Sequence, residues 1–168
     1  MHEIFIRFSV DKLNQFTERI DTCLAKLSPE QIWWREAEAQ NAIGNLVLHL
    51  CGNLGQWVLS AVGGAPDNRQ RDLEFSASGG VSTEELRRRL KERVTETVAL
   101  IEALPAGRMI ERVNVQKYNL TVLEVVYHVV EHFAGHTGQI IFATKLLKGE
   151  DLGYYEHLAR AAHEEKVP

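Results

Sequence analysis

Cysteine is scarce in this sequence, long apolar runs are missing and positive charge is not in excess, and each shortage removes a class of function. Two thiols in 168 residues, Cys23 and Cys51, build no disulfide framework, so the chain is expected to fold on a hydrophobic core in a reducing cytoplasm. No apolar stretch approaches the ~20 residues of a spanning helix, and Met1-His2-Glu3-Ile4-Phe5 lacks a basic leader followed by an apolar segment; neither membrane insertion nor secretion is expected. Lys and Arg number 19 against 23 Asp and Glu, a formal net charge of −4, which is the wrong sign for a protein that grips nucleic-acid phosphates. Sustained period-2 alternation is also missing, as are a Gly-rich phosphate loop and a nucleophile elbow.

What the sequence does have is helical periodicity. The composition, 45% hydrophobic and 25% charged, suits one globular domain spanning residues 1–168. Phe5, Ser9, Leu13, Phe16, Ile20, Leu24 and Leu27 recur every three or four residues, predicting a helix over 3–27 that stops before Ser28-Pro29. Ser28 with Gln31 reads as a capping box opening a short helical piece through Trp33, Trp34 and Glu36. A second long helix follows from a cap at Asn41, with Ile43, Leu46, Val47, Leu50, Leu54, Trp57, Val58 and Ala61 as its stripe and Gly63-Gly64 as its end. Ser82-Thr83-Glu84-Glu85 opens a third over Leu86, Leu90, Val94, Val98, Ile101 and Leu104. The longest helix, about 121–148, is capped by Thr121 with Glu124 and stopped by Gly149. Between the last two, Val113, Val115 and Tyr118 alternate and predict a brief extended segment. Beyond Asp151 at most one short helix is expected.

Four long helices in one small domain bury their stripes against one another, so the expected class is all-α, a four-helix bundle. The connection from Gly63 to Val81 is long enough to cross the bundle, which favours a parallel second and third helix over a simple up-down-up-down order.

Histidine is the unusual residue: seven are present, and His128, His132, His136, His157 and His163 crowd toward the C-terminus. His128, His132 and His136 recur every four residues, the spacing at which two imidazoles on one helix face chelate a divalent ion. The first and last are separated by roughly 12 Å of helical rise, so all three cannot serve one ion. Helical phase places His136 nearest the apolar centre, His132 next and His128 furthest out, favouring the His132/His136 pair. On the second helix His49 and Asn53 flank the apolar stripe, and His49 is the expected third ligand, which leaves an open position as catalytic metal sites do. A lone helix-flank histidine is more often a surface or hydrogen-bonded residue, and His157 and His163 are read that way.

Other patterns carry less. His128-Val129-Val130-Glu131-His132 fits the arrangement of inverted zinc peptidases, but Glu131 points away from the apolar centre and the chain is small for a substrate cleft. Arg87, Arg88, Arg89, Lys91 and Arg93 interleave with Glu84, Glu85, Glu92 and Glu96, a solvated ion-paired face. Trp33, Trp34 and Trp57 are read as core aromatics.

Two segments, Asn45-Leu46-Val47-Leu48-His49-Leu50-Cys51-Gly52-Asn53-Leu54 and Val130-Glu131-His132-Phe133-Ala134-Gly135-His136-Thr137-Gly138-Gln139-Ile140, resemble the two signature stretches of the DinB/YfiT-like metalloenzyme superfamily, in its branch of small bacterial proteins. Arg71-Asp72-Leu73-Glu74-Phe75 and Lys148-Gly149-Glu150-Asp151-Leu152-Gly153-Tyr154-Tyr155 extend the resemblance over nearly the whole chain. It implies an up-down-down-up four-helix bundle, nickel or zinc on His49, His132 and His136, and a homodimer. It further implies a metal-dependent enzyme, such as an S-transferase that activates a low-molecular-weight thiol for attack on an electrophilic small molecule. A non-catalytic bundle that binds metal or a small ligand is the alternative. His128 is additional to the family pattern. It is a candidate base behind the ligands together with Glu131, an alternative ligand, or a surface residue, while Arg69 and Arg71 are candidates to meet a carboxylate of the thiol.

Overall fold

The computed structural model describes residues 1–156; the expectations for His157, His163 and the remaining tail lie outside the described residues. Helix α1 runs His2–Lys26, within a residue of the predicted span, and buries Ile6, Val10, Leu13, Ile20 and Leu24. Ser28, held extended ahead of Pro29 (φ −73°, ψ 160°), caps α2, Pro29–Ile32, and both arms of its capping box with Gln31 are formed. This helix is shorter than expected. Trp33 leaves it to lay its indole on the bare backbone of Gly44, where an added Cβ would meet the ring at 2.8 Å, and to donate to the Val81 carbonyl. Trp34, expected in the core, is half exposed.

Helix α3 spans Ile43–Leu54 and continues as a π-helical stretch over Gly55–Ser60. Its cap is Ala42 rather than Asn41, because the Asn45 side chain reaches back to accept the Ala42 N–H. The long connection after Gly64 (φ +78°) contains a short helix α4, Arg71–Ser76. Helix α5, Thr83–Glu102, is capped by Ser82, and α6, Val122–Lys148, carries the predicted Thr121/Glu124 box and ends on Gly149 in the left-handed region (φ 67°). The alternating segment before α6 is a hairpin of β1, Arg112–Val115, and β2, Tyr118–Thr121, paired antiparallel from Arg112↔Thr121 to Val115↔Tyr118.

The core is one apolar cluster contributed by all four long helices. Helix α1 packs on α5 and α6, and α3 packs on the same two, so α1 faces α3 across a diagonal. Cross-contacts fix the directions. The C-terminal end of α1 meets the segment after α6 through Lys26–Glu150, making α1 and α6 parallel. Arg87 near the start of α5 pairs with Asp21 near the end of α1, making those two antiparallel. Gly55 lies against Arg93 and Gly63 against Leu100, so α3 and α5 advance together. His49 meets His132 while Trp57 meets His128, so α3 and α6 run oppositely. The order is up-down-down-up, with the long connection as the crossover between the parallel α3 and α5. No described helix is long and apolar enough to cross a membrane.

Candidate metal centre

Because α3 and α6 run antiparallel, successive turns of one meet successive turns of the other in reverse. His49, one of the few buried polar residues, comes from the middle of α3 and meets His132 and His136 from the middle of α6. One nitrogen from each of the three imidazoles lies within 4.8 Å of the other two. The His49 and His132 Nε2 atoms are 2.9 Å apart, and the His132 and His136 ring centroids 4.5 Å. A tetrahedral ion with metal–nitrogen bonds of about 2.1 Å holds its nitrogens a little over 3 Å apart, so small side-chain shifts bring this set onto one ion.

Hydrogen bonds on the outer nitrogens decide which lone pairs face inward. His49 Nδ1 faces both Glu74 Oε2 at 3.0 Å and Arg69 Nη2 at 3.1 Å; because that guanidinium nitrogen already donates to the same carboxylate oxygen at 2.8 Å, we assign the Nδ1 proton to the carboxylate, which leaves Nε2 as the inward lone pair. His136 Nδ1 donates to Gln139 Oε1 at 2.7 Å and likewise frees its Nε2. Burial pushes the His132 imidazole down to about 3, helped by the charges of His136, His49, His128 and Arg69. Burial also lowers His136, against the opposing Gln139 bond. Neutral imidazoles are the ligating form.

Glu74 was not singled out as a site residue from sequence. It comes from α4, and Arg69 grips it with Nε on Oε1 and Nη2 on Oε2, both at 2.8 Å. Burial alone would raise the Glu74 carboxyl, but the bonds from Arg69 and His49 outweigh it and hold it below its ordinary value. The available signal was the resemblance through Arg71–Phe75; no spacing rule connects residue 74 to residue 49. Arg69 is not free to meet a ligand carboxylate, since its side chain is 4% exposed and engaged by Glu74, Gln56 and His49. Arg71 lies over the Phe75 ring, its guanidinium 4.8 Å from the centroid, and Phe75 packs on His49. On the other side of the Arg69–Glu74 pair, a groove of about 940 Å³ runs between α3, the connection and α5; none of the three histidines lines it.

His128 does not join the cluster. Its ring lies 4.0 Å from that of Trp57, centroid to centroid, and stacks on His132 at 5.5 Å; burial lowers its pKa while Glu131 opposes. Glu131 itself is exposed and makes no side-chain hydrogen bond among the described residues, so the carboxylate that reaches the cluster is Glu74. Asn53 Oδ1 and Trp57 Nε1, further along α3 from His49, are buried without a partner among the described residues.

Residues 1–159 match the family described as a protein of unknown function, DUF1572, and the chain belongs to it. No curated protein matches the chain. Among solved structures it is similar to a conserved protein from Enterococcus faecalis, with 13% identity and a TM-score of 0.70 over 86% of this chain and 97% of that one. It is also similar to a DinB-like protein, YjoA, from Bacillus subtilis, with 16% identity and a TM-score of 0.67 over 88% of this chain and 96% of the other. At these identities the likeness is one of fold, and the all-α bundle expected from the DinB/YfiT-like resemblance is the fold observed.

Proposed function

We propose that the protein is a divalent-metal enzyme whose ion, nickel or zinc, is held by His49, His132 and His136. The supporting observation is the convergence of three imidazole nitrogens within 4.8 Å, two of them on rings whose outer nitrogens lie within hydrogen-bond distance of a side-chain oxygen. The donor set fits: neutral imidazoles suit both metals, and three protein ligands leave a position for a small molecule. Bound there, a divalent ion lowers the pKa of a coordinated thiol or water and supplies the nucleophile at neutral pH. The substrate class that follows from the resemblance is a low-molecular-weight thiol with an electrophilic small molecule. His132 and His136 are only partly buried, leaving a route from solvent to the cluster, while Arg69, Glu74 and Phe75 close it from behind.

Metal analysis of the purified chain, reconstituted with zinc or nickel, is expected to give one ion per chain, and His132→Ala to lose it. Absence of stoichiometric metal, or its retention in the variant, overturns the assignment. A screen of thiols against monochlorobimane, with and without metal, is expected to show metal-dependent conjugation; no turnover with any thiol favours the non-catalytic alternative.

The homodimer is proposed through the outward side of α6, where Leu123, Tyr127, Phe142 and Leu146 remain exposed. Light scattering is expected to report two chains, and a monomer at working concentration overturns it.

A further inference from the structure

The geometry assigns Glu74, backed by Arg69, as the positioning residue for His49: the connection between α3 and α5, which contributes no ligand, sets the ring orientation and tautomer of the ligand on α3. Three observations carry this. First, α4 addresses His49 twice, with the Glu74 carboxylate on Nδ1 at 3.0 Å and the Phe75 ring at 4.8 Å between centroids. Second, Glu74 is itself held in one orientation by the two-point grip of Arg69, and Arg69 is held by the Gln56 side chain at 3.0 Å. Third, the whole segment is pinned to α3 by Asn45, one turn ahead of His49, whose amide donates to the carbonyls of Glu74 and Ala77 at 2.9 and 2.7 Å.

The carboxylate is also packed against the backbone of α3. Gly52, on the turn after His49, sits so close to the carboxylate that a Cβ there would meet Glu74 Oε1. A carboxylate accepting from Nδ1 keeps the proton on that nitrogen and the lone pair on Nε2, which faces His132. Without it, the nearest polar group to Nδ1 is the Arg69 guanidinium at 3.1 Å, which only donates, and the preference for a proton on Nδ1 is lost.

The inference rests on the metal reading for one of its two measurements and stands without it for the other. In the first, zinc affinity of the full chain is measured by competition with a fluorescent chelator for the parent protein, Glu74→Ala, Glu74→Gln and Arg69→Met. Glu74→Ala is expected to weaken zinc about 10–100-fold. Glu74→Gln, whose amide oxygen still accepts from Nδ1, should restore most of the loss, with Arg69→Met in between. In the second, long-range proton–nitrogen spectra of the metal-free protein report the His49 tautomer. The parent is expected to show a proton on Nδ1, Glu74→Ala a mixture of tautomers, and Glu74→Gln the parent state.

Unchanged zinc affinity together with an unchanged tautomer in folded Glu74→Ala overturns the positioning role. If that variant does not fold, an Nδ1 proton in the parent that persists in Arg69→Met and Glu74→Gln supports the role, and an Nε2 proton in the parent overturns it. A parent that binds no zinc overturns the metal reading, while the tautomer measurement still decides this one.

Discussion

The seam between α1 and α5 and the seam between α3 and α6 belong to one bundle but are built from opposite chemistry. On the first, Leu13, Ile20 and Leu24 meet Leu86, Leu90 and Ile101, all at most 1% exposed, and charge appears only at the rim, where Arg87 pairs with Asp21. On the second, His49 and Asn53 are buried polar residues, His132 and His136 are half-buried, and two buried polar atoms lack partners among the described residues. Apolar contacts supply the stability that tolerates this; a seam of imidazoles contributes little to folding and is best explained by what it can bind.

The largest effect should come from the apolar seam. Leu24→Ala, at a position with no exposure, is expected to cost about 3 kcal/mol in urea unfolding through lost burial and the cavity left behind. Zinc affinity should be unchanged, because α1 contributes none of the three histidines. A coupled loss of metal binding would mean that the two seams are not separable.

The polar seam should behave the other way. Saturating metal at 100 times its dissociation constant raises stability by about 2.7 kcal/mol, and a strong chelator should remove that increment in a thermal melt. His136→Leu should abolish the increment altogether. Its metal-free stability should stay within about 1 kcal/mol of the parent, since a half-buried imidazole bonded only to Gln139 is exchanged for an apolar side chain. A large destabilisation of metal-free His136→Leu would make the histidines structural.

Asn45 joins the two chemistries, capping α3 while holding the end of α4. Asn45→Ala leaves the carbonyls of Glu74 and Ala77 without this donor in a buried setting, at a cost of about 1–3 kcal/mol. Amide exchange should accelerate over residues 69–77 and not in α1 or α5. Uniform acceleration would show that the α4 segment opens only with the whole fold.

These contrasts were not equally legible in the sequence. The apolar stripes, the Ser28, Ser82 and Thr121 caps and the Gly149 stop are local patterns, and each appears where periodicity and capping chemistry put it. The His132/His136 pair was equally local, being one face of one helix. The π-helical stretch at Gly55–Ser60 leaves no mark on a pattern read at 3.6 residues per turn, and Trp33 was drawn out of its helix by a glycine eleven residues away. Glu74 lay hidden for the same reason. Its partner is brought to it by the crossover, and a carboxylate in a charged loop reads as solvated until the fold puts Arg69 and His49 around it.

The smallest effect should come from the one charged contact across the apolar seam. Arg87 holds both Asp21 oxygens, at 2.6 and 2.8 Å, but both side chains are 40% exposed or more, so Arg87→Ala should cost less than about 1 kcal/mol. Its pH dependence has a definite sign. The Arg87 hydrogen bond leads the causes that hold the Asp21 carboxyl below its ordinary value of 3.8. The pair therefore stabilises the folded chain above pH 3.8 and loses that contribution as pH falls through the lowered folded value. The difference in unfolding free energy between parent and Arg87→Ala should thus be present at pH 7, shrink below pH 4, and diminish at molar salt even at neutral pH. A difference that persists through both conditions would mean that Arg87 acts through the packing of its aliphatic stem, and the apolar seam would then extend to its charged rim.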